Sequence, residues 1–276
     1  MFFSHRNASI ATICVLFSSI TAAASSNTPA AADTSNDAHK AASAAHGMAT
    51  SCTPEEALDR LMEGNKHFVE NRLEVCRDTT PQLREDLAKG QHPFAVVLSC
   101  SDSRLPPEII FDKKPGDIFV VRVAGNTVDP VNLASIEYAL EHLGATLILV
   151  LGHERCGAVT AAYDTFTKTG LKHASDEEHH ERSRRQLSNM EQLLNQLRPA
   201  VDTVNKRKGQ KLPKAEMVEL AIDENIRNVT KNLTKQSPVI RKLVEENKVR
   251  IASAKFDLDT GSVKVMGRKE CIWIND

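Results

Sequence analysis

Phe94–Arg104, which reads FAVVLSCSDSR, is the stretch of this chain that decides its fold. A short apolar run leads into a cysteine and a polar turn, and the pattern returns at Leu147–Val159, which reads LILVLGHERCGAV. Apolar runs of this length that alternate with helical segments are typical of buried parallel strands, and ligands bind at the carboxyl ends of such strands. The two strand ends are therefore expected to bring Cys100, His153 and Cys156 together.

The rest of the chain predicts an α/β fold, with a central, mostly parallel β-sheet, an antiparallel edge strand and flanking helices. Strands are expected at about Phe94–Ser99, Asp117–Val123 and Thr146–Gly152. Alternation in Val249–Asp257 and Ser262–Gly267 predicts a terminal hairpin. Helices are predicted at Pro54–Asn71 behind the cap residue Thr53, at Asn132–Leu143, around Leu187–Leu197, at Glu216–Gln236 and at Pro238–Asn247.

The amino-terminal residues predict export. In residues 1–24, His5 and Arg6 precede an uncharged, partly apolar stretch that ends in small residues, as in a signal peptide. An uncleaved membrane anchor is the alternative, but the apolar run is far shorter than the roughly 20 residues that a spanning helix needs. Residues 25–51 are rich in Ala, Ser, Thr and Asn and indicate a flexible, low-complexity tether. Residues 52–276 are then one catalytic domain, and the location is periplasmic or, alternatively, secreted.

The charge balance excludes some classes of partner. The chain has 35 basic and 36 acidic residues, so no strong net field favours nucleic acid or an anionic membrane surface. We expect neither nucleic-acid binding nor stable membrane insertion after the leader is cleaved.

Three cysteines outside the leader are not part of the two strand-end motifs. In an oxidising compartment Cys52 and Cys76 could form a disulfide around the first helix, although sequence cannot determine connectivity. Cys271 is then a free thiol near the carboxyl terminus.

The two strand-end motifs supply two thiolates and one imidazole. This donor set suits the tetrahedral preference of zinc and leaves one position open, which is the arrangement of a catalytic site. Each half is weak evidence by itself, because a lone cysteine after an apolar run is usually a small buried hydrophobe and His-x-x-Cys is a common pattern. Their shared position at two strand ends favours one zinc ion per chain, held by Cys100, His153 and Cys156.

Four motifs resemble those of β-class carbonic anhydrases. They are CSDSR at Cys100–Arg104, RVAGN at Arg122–Asn126, SIEYAL at Ser135–Leu140 and GHERCGAV at Gly152–Val159. The resemblance extends over roughly Thr53–Lys269 and is to the plant-like branch, of an exported bacterial type. It implies the same three zinc ligands and the reversible hydration of carbon dioxide to bicarbonate and a proton, by attack of zinc-bound hydroxide.

The resemblance also implies roles for Asp102 and Arg104 as the catalytic pair. The guanidinium fork of Arg104 would hold the ionised carboxylate away from the metal, where the carboxylate can accept a hydrogen bond from the hydroxide. If the Arg104 contact is lost, the carboxylate can close the metal as a fourth ligand, and the family is known for both arrangements.

Further residues match substrate-pocket positions of the plant-like branch. Gln91 would hydrogen-bond the substrate oxygen, and Phe119, Ala124 and Tyr138 would line the pocket, with Tyr138 reaching across a dimer interface. The two aromatic residues could instead be core residues. The resemblance implies a homodimer or homotetramer as the active unit.

Two other functions stay open at this point. The same zinc chemistry could hydrolyse a related heterocumulene, either carbonyl sulfide or carbon disulfide. Alternatively, the chain could be a non-catalytic, zinc-stabilised interaction protein in which Asp102 permanently closes the metal. Val97 stands where bicarbonate-inhibited members carry tryptophan, so we expect no regulatory bicarbonate pocket of that kind, although Arg122 matches its arginine.

Overall fold

The computed structural model describes residues 52–168, 188–208 and 211–267. The predicted signal peptide, the tether and Cys271 lie outside the described residues.

Five strands form one sheet in the order β2-β1-β3-β4-β5. The strands are β1 Ala95–Ser99, β2 Ile118–Arg122, β3 Leu147–His153, β4 Arg250–Phe256 and β5 Val263–Val265. Neighbours among the first four strands pair in parallel, and β5 pairs antiparallel to β4 at the edge. The predicted fold class is confirmed, including the antiparallel edge strand.

Eight α-helices are found in the described residues. They are α1 Pro54–Val69, α2 Pro81–Leu87, α3 Pro107–Ile110, α4 Pro130–His142, α5 Gly157–Lys168, α6 Asn189–Lys208, α7 Lys214–Gln236 and α8 Pro238–Glu245. Two 3₁₀ turns lie at Val75–Arg77 and Ala124–Asn126. No helix among these residues combines the length and the apolar character needed to cross a membrane.

All five predicted helices are present, with some shifts in their bounds. Thr53 caps α1 as predicted, because its side chain accepts from the Glu56 N–H while the Glu56 carboxylate accepts from the Thr53 N–H. The helix predicted around Leu187–Leu197 is longer than expected, since α6 continues through Pro199. Its buried apolar side chains offset the hydrogen bond that proline removes. The sequence analysis gave no ranges for α2, α3 or α5, and of these α2 and α3 are too short to show a helical period.

The candidate ligands lie at the carboxyl ends of two inner strands of the sheet. Every residue of β1 and β3 is buried, which explains their continuous apolar sequences. Ser99, the last residue of β1, is in register with Leu151 of β3, and His153 is the last residue of β3. Because the two strands run in parallel, Cys100 and His153 emerge at the same end of the sheet.

The hypothesised disulfide between Cys52 and Cys76 is not formed, and both are free thiols. Cys52 is buried just before α1, while the Cys76 N–H donates to Oδ1 of Asp112 at 2.9 Å. A buried carboxylate therefore anchors the Cys76 segment instead of a covalent bridge.

The same Asp112 carboxylate sets a testable dependence of stability on pH. Burial raises the pKa of Asp112, but hydrogen bonds from Cys76, His67 and Glu74 outweigh it and hold that pKa well below its usual range. Because the folded pKa is lower than the unfolded value of about 3.9, the stabilisation is present above that pH and is lost as the pH falls further. Asp112→Asn is expected to lower the free energy of unfolding at pH 7 by about 1–3 kcal/mol.

Urea titrations from pH 7 to pH 2 measure this effect. The Asp112→Asn protein should lose less stability on acidification than the unsubstituted protein. The exposed Asp86, whose contacts are Lys89 and Gln82, provides the control Asp86→Asn, which should follow the unsubstituted protein closely. Parallel acid curves for all three proteins would contradict the prediction.

Candidate metal centre

Three buried side chains meet where β1 and β3 end. Cys100 directly follows β1, His153 ends β3, and Cys156 directly precedes α5. Their candidate ligand atoms all lie within 4.8 Å of one another, and each residue is at most 5% exposed. The structure therefore brings together the three residues that the sequence analysis selected.

The hydrogen bond of His153 orients its ring for a metal. Nδ1 lies 2.8 Å from the carbonyl oxygen of Glu154, so Nδ1 carries the proton and donates it. Nε2 is buried and has no hydrogen-bond partner among the described residues. An unsatisfied buried nitrogen costs about 1–3 kcal/mol, which a metal ligated at Nε2 would remove. One nitrogen and two sulfur atoms fit zinc.

The contact between the two thiols shifts their pKa values in opposite directions. A hydrogen bond from Cys156 lowers the pKa of Cys100 to about 4, against the opposing effect of burial. The N–H of Gly125 also donates to the Cys100 sulfur at 3.3 Å. The hydrogen bond with Cys100 and burial together raise the pKa of Cys156. A divalent cation would favour the thiolate form of both residues.

Asp102 and Arg104 form a bidentate pair beside the cluster. The Arg104 side chain donates through Nε to Oδ1 at 2.9 Å and through Nη2 to Oδ2 at 2.7 Å. These bonds hold the pKa of Asp102 well below its usual range, although burial opposes them. Oδ2 of Asp102 lies 3.9 Å from Nε2 of His153. An ionised carboxylate thus lies next to the candidate metal position, and its hydrogen bonds to Arg104 restrain it from turning towards the three ligand atoms.

Arg122, considered in the sequence analysis only for regulation, holds the loop that carries Cys100 and Asp102. It donates through Nε to the Cys100 carbonyl at 3.2 Å and through Nη2 to the Asp102 carbonyl at 2.6 Å. Gly125 adopts a left-handed conformation with φ of +66°, and Asn225 of α7 donates to its carbonyl at 2.8 Å. The RVAGN motif contained both Arg122 and Gly125, but nothing in it indicated these contacts.

The predicted pocket residues lie on different elements. Phe119 of β2 and Tyr138 of α4 lie together, with ring centroids 6.5 Å apart, and Tyr138 is 50% exposed. Ala124 begins the 3₁₀ turn that contains Gly125. Gln91 is exposed between α2 and β1 and makes no hydrogen bond within the described residues.

Gly152 controls how closely α7 approaches the end of β3. A Cβ at Gly152 would lie 2.4 Å from Cδ1 and 2.5 Å from Cγ1 of the fully buried Ile226. Gly152→Ala is expected to lower the free energy of unfolding by about 1–3 kcal/mol, because the packed core around Ile226 would have to shift to make room for the added methyl group. Urea denaturation measures this, with Gly90→Ala as the control, since a Cβ at Gly90 would come no closer than 4.0 Å to His92. Equal midpoints for both variants would contradict the prediction.

A family model described as carbonic anhydrase matches residues 95–263, more than half of the chain. This chain belongs to the β-class carbonic anhydrase family. The matched region contains the whole cluster and both loops that carry it. Asp102 and Arg104 also lie within the matched residues.

Curated carbonic anhydrases are similar to segments of this chain that differ in length. Carbonic anhydrase 2 of Mycobacterium tuberculosis is 50% identical over 109 residues, which cover 40% of this chain and 52% of that protein. The carbonic anhydrase of Synechococcus elongatus is 29% identical over 218 residues, which cover 76% of this chain and 72% of that protein. The chain spans about half the length of the mycobacterial relative that it matches.

Solved structures of β-carbonic anhydrases share the fold. The enzyme of the fungal pathogen Aspergillus fumigatus superposes with a TM-score of 0.56 at 27% identity, covering 76% of this chain and 90% of that chain. The β-carbonic anhydrase CcaA gives the same TM-score of 0.56 at 27% identity, over 75% of this chain and 86% of that chain. The central sheet and its flanking helices are thus those of the family.

Proposed function

We propose that this protein catalyses the reversible hydration of carbon dioxide to bicarbonate and a proton, at one zinc ion held by Cys100, His153 and Cys156. The observation that carries the proposal is the ionised Asp102 carboxylate, which the fork of Arg104 holds 3.9 Å from Nε2 of His153. Membership of the carbonic anhydrase family supports the same reaction.

The side chains around the cluster divide the work. When bound, zinc supplies an acidified water that can attack carbon dioxide near neutral pH. Asp102 keeps lone pairs free to accept a hydrogen bond from that water and so to orient it. Arg104 keeps the carboxylate ionised and prevents it from turning towards the three ligands. No group in the described residues stands out as a proton carrier, so the released proton passes to solvent or buffer.

The proposal includes a substrate pocket of the kind found in the plant-like branch of the family, to which we assign this chain. Gln91 hydrogen-bonds the substrate oxygen, while Phe119, Ala124 and Tyr138 form the apolar walls. The half-exposed Tyr138 and the 74% exposed Val131, both on α4, support a homodimer or homotetramer in which a second copy completes the pocket. Light scattering of the purified protein tests this, and a monomer with full activity would contradict it.

Export is the proposed location, periplasmic in a bacterium or else secreted. The support is the sequence of residues 1–24 and the tether that follows. Amino-terminal sequencing of the protein recovered from the periplasm tests the proposal. A protein that keeps its initiator methionine and stays with the cytoplasm would contradict it.

Stopped-flow hydration of carbon dioxide, with metal analysis of the same sample, tests the activity. The expected result is one zinc ion per chain and saturable turnover between pH 6.5 and 9. Carbonyl sulfide and carbon disulfide are assayed beside carbon dioxide, and faster turnover of either would favour the heterocumulene hydrolase. Full zinc occupancy without any turnover would favour the interaction protein.

A further inference from the structure

One peptide group between the ligands His153 and Cys156 is hydrogen-bonded at both of its ends. Its carbonyl, which belongs to Glu154, accepts the Nδ1 proton of His153 at 2.8 Å. Its N–H, which belongs to Arg155, donates to Oε1 of Glu219 at 2.8 Å. The Glu219 carboxylate of α7 and the His153 imidazole are thus joined through a single planar unit.

The direction of this peptide decides which ring nitrogen of His153 is protonated. With the carbonyl facing Nδ1, that nitrogen must carry the proton, and Nε2 is free to bind a metal. If the peptide turned over, its N–H would face Nδ1, which would then have to accept. The proton would move to Nε2, where it would exclude the metal.

The local backbone does not secure this direction by itself. Arg155 has φ of +51°, in the left-handed region that an arginine rarely adopts. The preceding Glu154 N–H donates to the Phe256 carbonyl of β4 at 3.1 Å, which ties one side of the loop to the sheet. Among the described contacts, the Arg155 N–H donates one hydrogen bond, to the Glu219 carboxylate. A conformation with a local energy cost is therefore held by a residue distant in sequence.

Glu219 is itself held in place from the sheet. Nζ of Lys255, in β4, lies 2.6 Å from Oε2 of Glu219 and 3.0 Å from Oδ1 of Asp223. Glu219 and Asp223 are one turn apart on α7, but only Glu219 contacts the peptide. Asp223 therefore offers a matched control, since it shares the lysine and not the peptide.

We infer that Glu219 is a positioning residue for the metal ligand His153, acting through the Glu154–Arg155 peptide to keep Nδ1 protonated and Nε2 directed at the two thiols. The arrangement corresponds to the carboxylate partners that metal-bound histidines use, with a peptide group inserted between carboxylate and ring. The inference rests on the zinc site of the proposed function.

Zinc affinity and the His153 proton are the two readouts, neither of which requires turnover. The full protein is loaded with zinc and titrated with a competing chelator, and the imidazole N–H resonance is recorded on ¹⁵N-histidine-labelled protein. Glu219→Ala is expected to weaken zinc binding by about 10–100-fold and to shift or remove the Nδ1–H resonance. Glu219→Gln should retain zinc within a few-fold, because its amide oxygen can still accept from Arg155.

Asp223→Ala should leave both readouts close to those of the unsubstituted protein. If Glu219→Ala does not fold, Glu219→Met is used in its place. Methionine is similar in size to glutamate, so this variant removes the hydrogen-bond acceptor with less loss of volume. Unchanged affinity and resonance in these variants would overturn the inference, as would an equal loss in Asp223→Ala. If the unsubstituted protein binds no zinc, the proposed function fails and the inference fails with it. If the unsubstituted protein binds zinc but Glu219→Ala and Asp223→Ala give the same zinc affinity and the same resonance, only the inference fails.

Discussion

Replacing Cys156 with serine is expected to remove zinc from the protein and to reduce carbon dioxide hydration to the background rate. Cys156 is 1% exposed, and its sulfur lies within 4.8 Å of the other two ligand atoms. A serine hydroxyl stays protonated near neutral pH, so only Cys100 and His153 would remain as ligands. The loss of zinc affinity should exceed the roughly 10–100-fold that is typical of losing an outer partner.

Metal analysis after dialysis and stopped-flow hydration measure the Cys156→Ser effect. Cys76→Ser is the matched control, because Cys76 is also a free thiol but lies beside Asp112 and outside the cluster. The control should keep one zinc ion per chain and full activity. A Cys156→Ser protein that retains stoichiometric zinc and turnover would show that the proposed ligand set is wrong.

Arg104→Ala is expected to lower kcat/KM by about 100-fold while zinc stays bound, since displacing a group by about 1 Å can cost that much. The substitution removes both side-chain bonds to Asp102 and leaves only the backbone N–H bond at 3.0 Å. The carboxylate, already 3.9 Å from Nε2 of His153, can then turn towards the metal and displace water. Because the Arg104 side chain is 51% exposed, the urea midpoint should barely change.

The control is Arg72→Ala. Arg72 is similarly exposed at 54% and also pairs with a carboxylate two residues earlier, that of Glu70, but its side chain makes no described contact with Asp102 or with the three cluster residues. Stopped-flow measurements should show unchanged kcat/KM for this variant. Arg104→Lys should fall between the two, because an ammonium can restore one bond but not the fork. Full activity of Arg104→Ala would refute the role assigned to the pair.

The sheet could be predicted because burial leaves a direct trace in the sequence. The parallel strands β1 and β3 are buried along their whole length, so both appear as uninterrupted apolar runs. Helix α1 could be predicted because Thr53 marks its start locally. Helices α2 and α3 could not, since one or two turns give too few residues for a period to appear.

The disulfide hypothesis failed for a different reason. The spacing of Cys52 and Cys76 was compatible with a bridge, but spacing carries no information about direction or distance in space. The structure anchors Cys76 through its backbone on Asp112, 36 residues further along the chain. Such a contact depends on where α3 ends relative to the loop after α1.

By itself, the sequence determined which chemical groups gather at the strand ends. Two cysteines and one histidine followed from their positions after buried strands, and the resemblance to β-class carbonic anhydrases added the Asp102–Arg104 pair. Only the tertiary structure decided how these groups are oriented. Arg122 reaches back 20 residues to the Asp102 carbonyl, and Glu219 lies 64 residues from the peptide that directs His153. Local patterns record burial and ligand type, because those act on neighbouring residues. Hydrogen bonds between distant segments depend on how β1, β2 and α7 pack together, which no local pattern encodes.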